Sequence, residues 1–146
     1  MRRTDEVKRS LDGITYRGRV PVLTADDRPD LADVIGKFGT LTDGRDLERF
    51  DEKIVRRIRA LGLRGPETFN FCRRSAELGV QDLADLLDVD RRTISRWEHG
   101  DVEIPKPVMA VVALLADERS MGNSRLFDQL SQTKPKRLKE IDVDAA

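Results

Sequence analysis

Two short helical segments, residues 80–87 and 91 to about 99, are separated only by the tripeptide Asp88-Val89-Asp90. So short a connection allows no long crossover, and the two helices must turn sharply and pack against each other. Leu83 and Leu87 supply the inner face of the first helix, Ala84 is small where the helices cross, and Val89 plugs the turn. Ile94 and Trp97, three apart, anchor the second helix from beneath. Asp90 stands where its carboxylate caps that helix. With those apolar residues inside, Arg91, Arg92, Ser95 and Arg96 are left outside.

An arginine-bearing face near the N-terminal end of the second helix of a helix-turn-helix is what such a motif inserts in the DNA major groove. There an arginine grips guanine O6 and N7 as a bidentate pair, or holds a phosphate. Arg91, Arg92, Thr93, Ser95 and Arg96 are therefore the candidate DNA-binding residues, with Arg92 and Arg96 foremost; Thr93 reads as a phosphate contact or simply a first-turn residue. The chain has 27 Lys plus Arg against 27 Asp plus Glu, which excludes a polybasic protein that binds nucleic acid by bulk charge. Any DNA binding must be local. Asp82, Asp85 and Asp88 add acidity to the first motif helix and would repel phosphate if they faced it, so modest affinity with steep salt dependence is expected.

Cys72 is the only cysteine and His99 the only histidine, so no Cys/His zinc site or disulfide framework can be assembled within one chain. Cys72 falls on an apolar helix face and reads as a small buried core residue; His99 reads as a surface or helix-end residue. Asp26, Asp27 and Asp30 lie in a polar turn with no base, nucleophile or phosphate cradle beside them. The reading is therefore a chain without enzyme activity, metal or other cofactor. Its longest apolar run, 108–116, is less than half of what spans a bilayer, and the first residues lack a signal peptide's apolar stretch. A soluble, cytoplasmic protein with no membrane partner is expected.

At 38% hydrophobic and only 5% aromatic, the chain predicts a lean, mainly α-helical core. Leu47, Phe50, Ile54, Ile58 and Leu61 recur at steps of three and four, predicting a helix from 45 to 61 that ends at Gly62. A second helix should run from Pro66 to Gly79, and a longer one from near Pro107. That last segment is apolar nearly all round, which in a small domain suggests a homodimer interface through residues 106–118. Toward the N-terminus, residues 14–23 suggest a small hairpin turned at Gly18, with Pro21 on an edge. The reading is thus a compact helix-turn-helix bundle of about five helices in three regions. Residues 1–44 are a partner-binding region, loosely ordered alone; 45–120 bind DNA and dimerise; 121–146 are a polar tail, disordered from Ser131 with Lys134, Lys136, Arg137 and Lys139.

The stretch LADLLDVDRRTISRWEHG closely resembles the lambda-repressor/Cro-like (XRE) helix-turn-helix, whose usual run is an LAxxLGV turn followed by S-R-W-E-x-G. Over roughly residues 45–118, DLERFDEKIVRRIRALGLRGPETFNFCRRSAELGV and then EIPKPVMAVVALLADE look like the MqsA (YgiT-type) antitoxin family. The resemblance implies a dimeric repressor of its own operon that binds a palindromic double-stranded operator and neutralises a partner toxin through its N-terminal region. It also implies that Arg92 and Arg96 hold base-reading positions. The chain departs from the family in lacking the paired CxxC motifs, hence the zinc site, and in carrying Val80 where a glutamine is common. Two other readings stay open: a stand-alone phage-type repressor, and a protein-interaction module without specific DNA binding.

Overall fold

The computed structural model describes residues 3–38, 41–132 and 138–144. Thr4–Leu11 (β1) and Ile14–Leu23 (β2) form an antiparallel hairpin in register from Thr4↔Pro21 to Leu11↔Ile14. The turn is Asp12-Gly13, with φ of 51° and 78°, the left-handed pair whose twist matches that of the strands. Gly18 therefore does not turn the chain, contrary to the sequence expectation. It pairs with Val7 inside β2, and a Cβ there would stand 2.7 Å from the Phe50 ring, so glycine is present for the close approach of a helix. Pro21 sits in the middle strand of the order β1-β2-β3, because Leu41–Thr42 (β3) pairs with Val22 and Leu23. Val22 donates its N–H toward the β1 side, to Arg3 O at 3.0 Å. By strand alternation the Pro21 nitrogen faces the other way, where β3 has not begun, so no ladder bond is lost.

The fold is mostly helical. Ala32–Phe38 (α1), preceded by a 3-10 turn at Pro29–Leu31, leads to Gly44–Leu61 (α2), Pro66–Ser75 (α3), Val80–Leu87 (α4), Arg91–Glu98 (α5), Lys106–Ser120 (α6) and Arg125–Leu130 (α7). Seven α-helices thus stand among the described residues where about five were expected. The two extra ones are the short flanking α1 and α7, the latter inside the stretch read as a polar tail. Residues 138–144 are exposed and carry no helix or strand, while Lys134, Lys136 and Arg137 lie outside the described residues.

Helix α2 is capped by Asp43, whose side chain accepts from Arg45 N at 2.9 Å. It buries Phe50, Ile54, Val55 and Ile58, while Leu47 and Leu61 at the ends of the predicted stripe stay exposed. Helix α3 stops at Ser75, short of the expected Gly79, because Glu77 takes the left-handed conformation (φ 57°) and Leu78 N turns back to Arg73 O. Helix α6 packs against α2, α3 and α7. Met109, Val112, Ala113, Leu115 and Ala116 are buried there. The all-round apolar character that suggested a dimer face is thus largely covered within one chain.

Leu11 and Val20 of the hairpin share one core with Ile58, Phe69, Cys72, Leu83, Ile94 and Val112. Fully burying a side chain such as Leu83 or Ile94 contributes roughly 1.5–3 kcal/mol. Within the region expected to be loosely ordered alone, the hairpin 4–23 is therefore laid against the helices. Two polar ties reinforce this. Arg9 of β1 donates to Asp51 of α2 and lies 5.1 Å from the centroid of the Phe71 ring. At the hairpin tip, the Asp12 carboxylate accepts from Glu67 N (3.2 Å) and Thr68 N (2.8 Å), and Asp12 N donates to Glu67 Oε1 (3.0 Å). A residue 55 positions away in sequence thereby caps α3, whose own N-cap, Gly65, has no side chain.

Candidate nucleic-acid interface

Helices α4 and α5 are joined by a turn closed by backbone hydrogen bonds. Asp88 adopts φ 55° and donates its N–H to Asp85 O, while Val89 N donates to Ala84 O at 3.0 Å. This is the helix-terminating pair of bonds that usually employs glycine at the left-handed position. Val89 packs on the core, and Leu83 and Ala84 are wholly buried, so the turn is held from inside. At the start of α5 the Asp90 side chain accepts from Arg92 N at 2.8 Å, as the sequence predicts.

Ile94 and Trp97 point α5 inward; the Trp97 ring meets Phe69 of α3 edge-on, with centroids 5.8 Å apart. Glu98 locks the far end. It pairs with Arg73 of α3, both side chains 12% exposed, and Arg73 Nη1 also donates to Leu78 O at 2.8 Å. These contacts fix the roll of α5 and with it the direction of its outer face.

That face is a shallow concavity of about 390 Å³ lined by Arg91, Arg92, Ser95, Arg96, His99 and Asp101. Arg91, Arg92 and Arg96 are exposed and, among the described residues, take part in no ion pair, whereas Arg9, Arg59, Arg73 and Arg119 are all paired. Three open guanidiniums within two turns of one helix are free to meet an anion. The structure therefore brings together four of the five sequence candidates. Thr93 is not among the lining residues; it is half-buried, and its N–H closes the first turn onto Asp90 O. Two further residues line the same concavity. His99 ends α5 with Nδ1 2.6 Å from Ser95 O, and Asp101 follows Gly100, which turns the chain back so that Asp101 N bonds Arg96 O. Asp101 lies beyond the quoted motif, and the signal for it is the glycine that folds the chain end over the helix; His99 lies within the motif but reads from sequence only as a surface or helix-end residue.

The acidic residues of α4 look elsewhere. Asp82 and Asp85 line a larger groove, of about 1140 Å³, with Glu48 and Glu52 of α2, Glu118 of α6 and Asp128 of α7. Asp82 also accepts from Gly79 N at 2.9 Å, closing the first turn of α4. Cys72 is fully buried and its thiol is pushed up to about 12 by burial, which leaves it without a nucleophilic role near neutral pH. In the acidic turn, Asp27 accepts from Thr24 N and Oγ1, and Asp30 pairs with Arg28, which holds its carboxyl below the usual range. Among the described residues no group of three or more His, Cys, Asp or Glu is placed to hold a metal ion, and no helix is long and apolar enough to cross a membrane. Comparison with protein-family models, with curated proteins and with solved structures finds no match to this chain.

Proposed function

We propose that this chain is a sequence-specific DNA-binding repressor of the lambda-repressor/Cro-like kind, acting as a homodimer and as the antitoxin of a type II toxin–antitoxin pair. The observation that carries the reading is the outer face of α5, where Arg91, Arg92 and Arg96 stand exposed and free of carboxylate partners on a helix locked from beneath. Arg92 and Arg96 read bases, Arg91 and Ser95 hold backbone or neighbouring base edges, and Thr93 steadies the first turn. In a dimer, half-sites lie about 34 Å apart or a multiple of that. The toxin is bound through the N-terminal region.

The test is a titration against the duplex upstream of the chain's own gene, with a shuffled duplex as control. Wild type should prefer the former by about 10³-fold or more. The double variant Arg92→Glu, Arg96→Glu should lose that preference while its circular dichroism is unchanged. Equal binding of both duplexes by wild type, or retained preference in the variant, overturns the reading. The large acidic groove favours a second reading, a protein-interaction module, which an absence of sequence preference at every salt concentration would support.

A further inference from the structure

Helix α2 sorts its charges by flank. Glu48, Asp51 and Glu52 line the acidic groove, while Arg49, Lys53 and Arg57 line a separate groove of about 620 Å³ between α2 and β2. Arg17 and Arg19 line this second groove from the strand, and Asp46 is its one lining carboxylate, engaged 3.5 Å from Arg49. Arg45 extends the series one turn further at the same spacing. Lys53 and Arg57 are exposed and in no ion pair among the described residues.

Like charges four apart on a helix repel and weaken it. Here 45, 49, 53 and 57 are all cationic in a chain whose net charge is zero, so bulk basicity does not account for the stripe. A polyanion that neutralised the row would remove the repulsion. Four residues of helix rise about 6 Å, so the row spans about 18 Å. Phosphates on one strand of duplex DNA rise about 3.4 Å each along the axis while winding around it, so neighbouring phosphates stand roughly 6–7 Å apart and the pitch of the row is close to that of successive phosphates. A regular row of this pitch suits a phosphodiester backbone better than an acidic polypeptide, whose charges have no fixed repeat.

We propose that the α2 stripe, Arg49, Lys53 and Arg57, is a sequence-independent DNA backbone contact separate from the reading face of α5. The identity of the polyanion rests on the DNA-binding reading; the stripe itself does not. The variant Arg49→Gln, Lys53→Gln, Arg57→Gln changes only exposed side chains and relieves repulsion, so its melting temperature should be unchanged or higher.

The test measures binding of the full chain to its own upstream duplex and to a shuffled one across a salt series. Each phosphate contact contributes about 0.9 to the slope of log affinity against log salt, so the triple variant should lose between about two and three units of slope. It should weaken on both duplexes by the same factor and keep the sequence preference. Variant slopes equal to those of wild type overturn the proposal, as does polyglutamate competing as well as DNA at equal charge. If neither duplex is preferred yet the slope falls in the triple variant, the α5 reading fails and the stripe stands; preference lost in the Arg92/Arg96 variant with no slope change in the triple variant gives the converse.

Discussion

Replacing Asp12 tests whether the hairpin is part of the helical fold or merely rests on it. Its carboxylate is the side-chain acceptor for two N-terminal amides of α3, and one of these belongs to Thr68, which is 1% exposed. Loss of a helix cap costs about 1 kcal/mol, and a buried donor left without a partner adds about 1–3 kcal/mol. These terms overlap, so Asp12→Ala should destabilise by about 2–3 kcal/mol. Part of that belongs to the turn, since Asp12 has φ 51° and alanine tolerates it poorly. Asp12→Gly removes that part and should still cost about 1.5 kcal/mol. Asp12→Asn keeps an acceptor and tolerates the left-handed turn, and should cost about 0.5–1 kcal/mol through the lost charge at the helix N-terminus. Urea unfolding followed by the fluorescence of Trp97, the only tryptophan, reads the series directly, because its ring rests on Phe69 of the capped helix. For 146 residues, about 2.1 cal/mol/K of unfolding entropy per residue makes 1 kcal/mol worth about 3 °C in Tm. Asp12→Ala should therefore melt about 6–9 °C lower, and the Thr68 amide should lose exchange protection. An Asp12→Gly variant within 0.5 kcal/mol of wild type, or an Asn variant less stable than the Gly variant, would refute the cap.

Three further outcomes follow from the same geometry. Asp88→Gly should stabilise the protein by about 0.5–1 kcal/mol, because a left-handed residue with a Cβ is penalised by more than the extra unfolded-state freedom of glycine; a lower urea midpoint in the variant contradicts this. Arg73→Ala strands the nearly buried Glu98 and should cost about 3 kcal/mol or more, whereas Arg73→Leu with Glu98→Leu should cost clearly less; equal losses would show that the pair is not coupled. Because burial raises the Cys72 thiol from 9.0 to about 12, the unfolded chain releases its proton first, and stability should fall by about 1.4 kcal/mol per pH unit above pH 9. Unfolding curves between pH 8 and 10.5 for wild type and Cys72→Ala should diverge accordingly, and parallel curves would dispose of the linkage.

The helices from 44 to 120 were legible in the sequence from apolar spacing and local start and stop signals, although α3 stops at Ser75 rather than Gly79 and α6 is apolar nearly all round. Asp90 and Ile94 illustrate the reach of such signals: cap, inner face and outer face of α5 all follow from spacings of a turn or less. The N-terminal hairpin shows where this reach ends. Its Asp12-Gly13 turn is a local signal, standing just before residues 14–23, but the role of Gly18 depends on Phe50, 32 positions away.

The amino-acid sequence by itself determined which residues form the motif helices and which side of α5 is polar, since periodicity and capping act over a few residues. Tertiary structure decided what that polar face is next to. It turned Asp82 and Asp85 into another groove, pinned α5 through Arg73 and Glu98, and covered α6 with α2 and α3. Each of these joins residues distant along the chain. Their proximity follows from how the helices pack, and no local spacing encodes it.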